Sequence, residues 1–361
     1  MKKDPQKIRI TWDDVKNARI SEPAPLPLPI PGTSQTGEER SWGNISQTGH
    51  PTGAFAASGG NVLLKGWFYL GAAGLMGAFL AWLICEPSFG DNVNGWGWGN
   101  VLIFPLMVIL MSIGFGTAES VVERTWTRAL LRGLASTGLG LLLGSVMFVI
   151  ANIVFNILIA IVLEMGVESE TSPLFWVSRS VAWAVFGIAG GLIFGIVSVS
   201  GKKTLYGMLG GVIGAAAGGL LFDPIALLTG GAEASRAIGM AILGAGTGVA
   251  IGLVESALKD RWLYVSGGPL AGKQFVLYQD HVTLGRSQSN TIYLFKDDTI
   301  LEQHAVIEHR AGRSLLTAYG QLVVSGQLLQ PGMQHMLRNG DVLQIGRYVF
   351  TYAERERAAR P

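Results

Sequence analysis

Charge is what this chain has least of. Only 14% of its residues are Asp, Glu, Lys or Arg, where a soluble domain carries about 25%. The deficit is regional, with charges gathered before Lys65, in short patches between apolar runs, and after Lys259. Cysteine is nearly absent too. The one residue, Cys85, excludes an intramolecular disulfide and offers no metal cluster. A net charge of +2 without a large Lys/Arg cluster gives no footing for nucleic acid, which is not expected as a partner. No apolar run lies near enough to Met1 to be a cleaved signal peptide. Gly267-Gly268-Pro269-Leu270-Ala271-Gly272-Lys273 ends like a phosphate loop, but no Ser or Thr follows the lysine and no helix pattern continues it. With no nucleophile–base pair either, the expectation is a protein that is not an enzyme and carries no cofactor and no metal.

Apolar residues fill the space that charge leaves. They make up 49% of the chain, and 50 of the 361 residues are glycine; mean hydropathy is +0.39. Crossing the hydrocarbon core takes roughly 20 apolar residues. Runs over 62–85, 100–118, 133–163, 178–200, 205–228 and 237–257 predict six membrane-spanning helices, so 62–258 reads as a polytopic α-helical membrane domain. Alternate loops carry the basic residues: Arg124, Arg128 and Arg132, then Lys202 and Lys203, then Lys259 and Arg261. The intervening loops are acidic or uncharged, and the positive-inside rule places both termini in the cytoplasm. Trp96, Trp98, Trp126, Trp176 and Trp262 fall near span ends, where amphipathic rings favour the interface.

Three details of this region invite a structural answer. The third run is about thirty residues, roughly 45 Å as a straight helix, so it must tilt, project, or bend near Gly144 or Asn152. Asp223-Pro224 is placed to break or end the fifth span. Glu119, Asp223 and Glu255 sit near span ends, where they are expected to reach water, and Asn152 and Asn156 share a face suited to binding another helix.

Glycine recurs at four-residue spacing in Gly187, Gly191 and Gly195, in Gly207 and Gly211, and in Gly244, Gly248 and Gly252. Lipid supplies no hydrophobic force between helices, so close approach over glycine is what favours packing. These ladders predict a tight bundle; a glycine-lined conduit is the alternative. Gly116-Thr117-Ala118-Glu119-Ser120 resembles Gly252-Leu253-Val254-Glu255-Ser256, which suggests a duplicated two-helix unit.

Residues 1–61 read as a flexible cytoplasmic tail. Thr11 to Arg19 has the pattern of one or two helical turns, and Pro23 to Pro31 alternates proline with apolar residues as polyproline II does. Ser-Gln-Thr-Gly occurs twice, at 34–37 and 46–49. Residues 356–361 form a second short tail.

After Lys259 the long runs give way to short alternating ones separated by turn residues, the pattern of an all-β sandwich over 260–355. Within it lie Leu284-Gly285-Arg286-Ser287, Asn290-Thr291-Ile292, His304-Ala305-Val306-Ile307 and Asn339-Gly340-Asp341-Val342-Leu343-Gln344-Ile345-Gly346. Their order and spacing resemble the forkhead-associated (FHA) domain, a module that binds phosphothreonine peptides. The resemblance implies that Arg286 and Ser287 meet the ligand, and a guanidinium suits phosphate because its donors are planar and paired. Where the family carries serine this chain has Leu301, followed by Glu302, and Tyr319-Gly320 stands where Thr-Asn is usual. His304 matches a scaffold residue of the family; His281, His309 and His335 lack metal-ligand spacing.

The combined expectation is a membrane-anchored FHA scaffold or signalling protein that recruits a cytoplasmic protein, with threonine phosphorylation of that partner left open. Membrane lipid would be the other contact. An FHA-regulated channel or transporter built from glycine-rich hairpins is the alternative.

Overall fold

The computed structural model describes residues 61–90, 97–167, 172–229 and 232–355. The tail expectations at Thr11–Arg19, Pro23–Pro31 and the Ser-Gln-Thr-Gly repeats lie outside the described residues, as do 356–361. Among the described residues, two 3₁₀ turns (Val62–Leu64 and Glu86–Ser88) flank the first of six helices: α1 (Gly66–Cys85), α2 (Trp98–Val122), α3 (Trp126–Glu164), α4 (Pro173–Val197), α5 (Gly201–Thr229) and α6 (Ala232–Leu258). All six contain a stretch long and apolar enough to cross a membrane. Each packs on its neighbours in sequence, α6 returns to α1, and α2 also touches α4, so the helices close into a ring with a filled centre.

Glycine governs how close the helices come. A methyl group at Gly187 would strike the backbone of Gly211, one at Gly191 the backbone of Gly207, and one at Gly195 the backbone of Thr204. Gly244 meets Gly74, Gly248 meets Leu70 and Gly252 meets Trp67 in the same way. Between them the described residues leave an internal cavity of about 20 Å³ beside Met107, Phe186 and Thr247, room for about one water.

Several details differ from the expectations. The third span is one continuous helix of 39 residues, roughly 58 Å long at 1.5 Å per residue, and its apolar window is only 11% buried. Asn152 and Asn156 make no side-chain hydrogen bond to another helix among the described residues. Their side chains are exposed and donate to the main-chain oxygens of Phe148 and Asn152, each at 2.8 Å, one turn back on α3 itself. Pro224 neither breaks nor ends α5, which runs on to Thr229. Asp223 is paired with Arg179 at 3.0 Å. Glu119 and Glu255 are likewise engaged in ion pairs rather than left to water.

Alternation of apolar residues then builds a sandwich. One sheet has the order β2-β1-β11-β10-β7-β8 and the other β4-β3-β5-β6-β9. The first comprises β1 (Arg261–Gly267), β2 (Gln274–Val276), β7 (Leu322–Val324), β8 (Gln327–Leu329), β10 (Val342–Ile345) and β11 (Tyr348–Glu354). The second comprises β3 (His281–Gly285), β4 (Ile292–Tyr293), β5 (Ala305–Arg310), β6 (Arg313–Ala318) and β9 (Gln334–Leu337). Leu263, Val265, Leu284, Leu316, Leu343 and Phe350 belong to one fully buried core between the sheets. Period-two patterning puts them there, because successive side chains of a strand face opposite ways.

The glycine contacts give a contrast that can be measured. Gly191→Leu and Gly248→Leu must push backbones apart, at a cost of about 1–3 kcal/mol or more each, whereas Gly138 has nothing within 4 Å of a new methyl group. In detergent, thermal unfolding and monodisperse yield should fall for the first two substitutions, less for Gly→Ala at the same sites, and stay unchanged for Gly138→Leu. Equal tolerance at all three positions would mean the ladders do not hold the helices together.

Candidate functional site

One end of the sandwich is assembled from three loops around His304. The Leu301 N–H donates to His304 Nδ1 at 3.1 Å, and the other ring nitrogen, Nε2, lies 2.9 Å from the Gln321 oxygen. The N–H groups of Tyr319 and Gly320 both donate to the His304 carbonyl, at 2.8 and 2.9 Å. A side chain at Gly320 would run into the imidazole. His304 is therefore a buried scaffold that sets the positions of Leu301, Tyr319 and Gly320 together.

The β3–β4 loop is stitched to the same group. Arg286 N–H donates to the Leu301 oxygen at 2.9 Å and Ser287 N–H to the Glu302 oxygen at 3.1 Å. Asn290, buried, donates its amide to the Ser287 and Glu302 oxygens and closes the loop from inside. All six residues singled out by the resemblance thus gather in one place: Arg286, Ser287, Leu301, Glu302, Tyr319 and Gly320. Leu301 and Tyr319 are each 49% exposed, which leaves apolar surface beside the arginine.

Two residues there were not singled out from the sequence. Arg286, half exposed, pairs at 3.0 Å with Asp298, whose side chain is 99% exposed. A ligand anion must compete with that carboxylate for the guanidinium. Asp297 pins the β4–β5 loop: its oxygens accept from the Thr299 N–H at 3.1 Å, the Thr299 hydroxyl at 2.6 Å and the Arg347 N–H at 2.8 Å. The Thr299 hydroxyl first, and then the Arg347 N–H, hold its carboxyl below the usual range. The adjacent pair Asp297-Asp298 in a turn was the available signal, since short acidic side chains cap their own turns.

A second constellation joins the sandwich to the helices. Only Lys259 and Asp260 separate α6 from β1. Lys273, in the β1–β2 turn, is 1% exposed and pairs with Glu123, after α2, at 2.8 Å. The loop that resembled a phosphate loop thus spends its lysine on an internal ion pair. Tyr278 donates to Glu255 of α6 at 2.6 Å. Burial, and then that carboxylate, push the phenol far above its ordinary value. Lys203 of α5 lies 2.8 Å from Glu119 and 3.8 Å from Glu255, and Arg132 of α3 reaches Glu119 at 3.2 Å. The two similar segments around Glu119 and Glu255 therefore supply carboxylates to one lysine. Arg128, on the first turn of α3, donates to the main-chain oxygens of Gln288 and Asn290. Arg124 lies 5.4 Å over the Phe295 ring. A cavity of about 380 Å³ opens at this joint, lined in part by Glu119, Arg128, Arg132, Lys203 and Tyr278.

Comparison with known proteins agrees with the residues. The FHA domain model matches residues 282–346, so the chain carries a C-terminal FHA domain. Among curated proteins, the oxoglutarate dehydrogenase inhibitor of Corynebacterium diphtheriae is 31% identical over 96 residues, 27% of this chain and 66% of that protein. Its counterpart from Corynebacterium efficiens is 33% identical over 86 residues, 24% of this chain and 60% of that protein. The chain thus spans under two thirds of the length of these relatives. Solved structures that overlap the sandwich include the FHA domain of an Arabidopsis thaliana hypothetical protein, at 23% identity and TM-score 0.25, covering 28% of this chain and 92% of that one. The N-terminal FHA domain of Saccharomyces cerevisiae Rad53p, solved with a phosphothreonine peptide, is 15% identical with TM-score 0.25, covering 27% and 94%.

Two measurements follow from this geometry. Removing one partner of a buried ion pair strands the other, at a cost of about 3–5 kcal/mol. Glu123→Gln and Lys273→Met should each lower the unfolding temperature of the full chain in nanodiscs, while the double substitution should recover most of the loss. Additive losses would show that the two side chains are not coupled. For Asp297 the folded pKa lies below the unfolded one, about 3.9. Its contribution is then complete above that pH and is lost as pH falls through the folded value. Asp297→Asn should destabilise the sandwich at neutral pH and flatten the acid limb of its stability curve below about pH 4. An unchanged acid limb would remove Asp297 from the account.

Proposed function

We propose that this chain is an integral membrane protein with both termini in the cytoplasm, whose helices anchor an FHA domain that recruits a cytoplasmic protein to the membrane. The observation that carries the reading is the placement of Arg286. It stands half exposed at the gathered loops of a recognised binding module, which is joined by two residues to six helices suited to spanning. Basic residues concentrate at the joint and in the loops on that side, which supports a cytoplasmic orientation. The curated relatives bear the name of an enzyme inhibitor, and a protein that acts by binding another is in keeping with that name.

The loops themselves bear on the ligand. Leu301 removes a hydroxyl donor, Glu302 adds a negative charge, and Asp298 already occupies the guanidinium. Each charge-assisted hydrogen bond lost is worth roughly 1.5–3 kcal/mol, or about ten- to 150-fold in affinity. Phosphothreonine alone is therefore a weak ligand for this site. The exposed Leu301 and Tyr319 favour a protein surface that offers an acidic group to Arg286 and an apolar side chain beside it. A second reading, a channel or transporter regulated by the FHA domain, draws support from the contacts between its loops and α3. The close glycine contacts between the helices favour the scaffold.

Membrane vesicles of both orientations test the proposal. Inside-out vesicles bearing the full chain should retain a defined set of cytoplasmic proteins, and right-side-out vesicles should not. Arg286→Ala should abolish that retention while leaving the amount of protein in the membrane unchanged. Retention that is indifferent to Arg286, or that occurs on the opposite face, would overturn the reading.

A further inference from the structure

The β3–β4 loop has two ends with different attachments. At its start, Arg286 and Ser287 are bonded to Leu301 and Glu302 within the sandwich. At its far end the loop is held from outside the sandwich by the helices. Arg128 donates to the carbonyl oxygens of Gln288 and Asn290, and its other terminal nitrogen reaches the Thr291 oxygen at 3.5 Å. These carbonyls belong to the short stretch that follows Arg286 and Ser287.

Arginine is suited to this task for a geometric reason. Its guanidinium carries five N–H donors in a rigid plane and no acceptor, so one side chain can fasten several carbonyls at once. Lysine offers a single rotating point of attachment. Among the described residues no carboxylate lies within ion-pairing distance of Arg128, whereas Arg132, one turn along α3, pairs with Glu119. The Arg128 guanidinium is committed to the loop backbone instead. The neighbouring β4–β5 loop is held from the same side, where Arg124 stacks over Phe295. Both loops that supply the gathered residues Arg286, Ser287, Leu301 and Glu302 are therefore in contact with the turn between α2 and α3 and the start of α3.

We infer that Arg128 is a positioning residue for the partner site: it sets the β3–β4 loop, and with it Arg286, from the helical domain. The inference rests on the reading of the gathered loops as the binding site. It adds that the site is complete only when the sandwich is docked on the helices. Linkage then runs both ways, since a partner that prefers the fastened loop also stabilises the contact with α3. The start of α3 is the point at which the occupied site is felt by the helices.

The test uses the full chain in nanodiscs and two readouts. The first is hydrogen exchange without any ligand. Arg128→Ala should speed exchange of the 286–291 amides about ten-fold while the β5 and β11 amides keep their protection. Arg128→Lys should restore part of the difference, and Leu134→Ala, an exposed α3 control, should change nothing. Unchanged exchange at 286–291, or loss of protection across the whole sandwich, would overturn the inference. The second readout is titration with a peptide copying residues 30–52, phosphorylated on Thr36 and Thr48, up to about 1 mM. Arg128→Ala should weaken its binding about ten-fold, with partial recovery in Arg128→Lys, and equal affinity in all three proteins would also overturn it. Should the wild-type chain bind no such peptide, the tail segment is excluded as the ligand, and the exchange measurement still decides the role of Arg128.

Discussion

The ion pair between Lys273 and Glu123 is the constraint on which the arrangement of this protein turns. Both side chains are almost wholly buried, and they bridge the first turn of the sandwich and the end of α2. A buried pair is a poor source of net stability, because desolvation offsets most of the attraction. It is a strong source of geometry, since any other docking of the sandwich would leave one charge buried and alone. The two-residue connection after α6 already limits where the sandwich can go. Lys273, together with Tyr278 on Glu255, chooses one orientation from that limited set. Arg128 and Arg124 can touch the β3–β4 and β4–β5 loops only because that orientation is kept.

The charges within the helices follow a comparable logic. At the end nearest the sandwich lie Glu119, Arg132, Lys203 and Glu255. At the other end Arg179 pairs with Asp223, and Arg236 with Glu86. Along α5 and α6 these two layers are about 20 residues apart, close to 30 Å of helix, which is the thickness of a hydrocarbon core. Paired charges at both rims with glycine contacts between them suit a bundle that packs tightly in lipid and meets headgroups at each end. α3 departs from the pattern. Counted from Arg132, the same length reaches the neighbourhood of Asn152 and Phe155, and Arg179 lies 5.8 Å over that Phe155 ring. The remaining turns, with Ile157, Ile161 and Leu163 exposed, extend beyond the second layer.

Much of this was legible in sequence because its causes are local or periodic. Apolar runs of fixed length gave six helices, alternation with turn residues gave a sandwich, and glycine at every fourth position gave the contact faces. The gathered loops were legible through spaced motifs, above all Gly285-Arg286-Ser287 and His304-Ala305. What escaped depends on distance in space. Lys273 and Glu123 are 150 residues apart, and neither sits in a motif that names the other. Glu119 and Glu255 looked like rim residues free to meet water until one lysine was found to hold both. The partner carbonyls of Arg128 have no side-chain signature at all. The reach of α3 was visible in its length, yet only the fold shows that it continues without a break.

These contacts bear on what an FHA domain does in this setting. In a freely tethered module, ligand affinity is a property of the loops alone. Here the loop that carries Arg286 has one end bonded to the sandwich and the other to α3, so its shape belongs to both. If Arg128 positions the loop as we infer, a ligand that is weak for the loops by themselves can still be selective, because the arginine is set before the ligand arrives. Preorganisation of this kind lowers the ordering cost of binding without adding a contact. In the proposed function Leu301, Glu302 and Asp298 weaken the site for a bare phosphate, while the contacts with the helices fix the loops for a larger surface. On the proposed reading, the departures from the family pattern and the attachment to α3 point the same way, toward a partner that meets several loops at once.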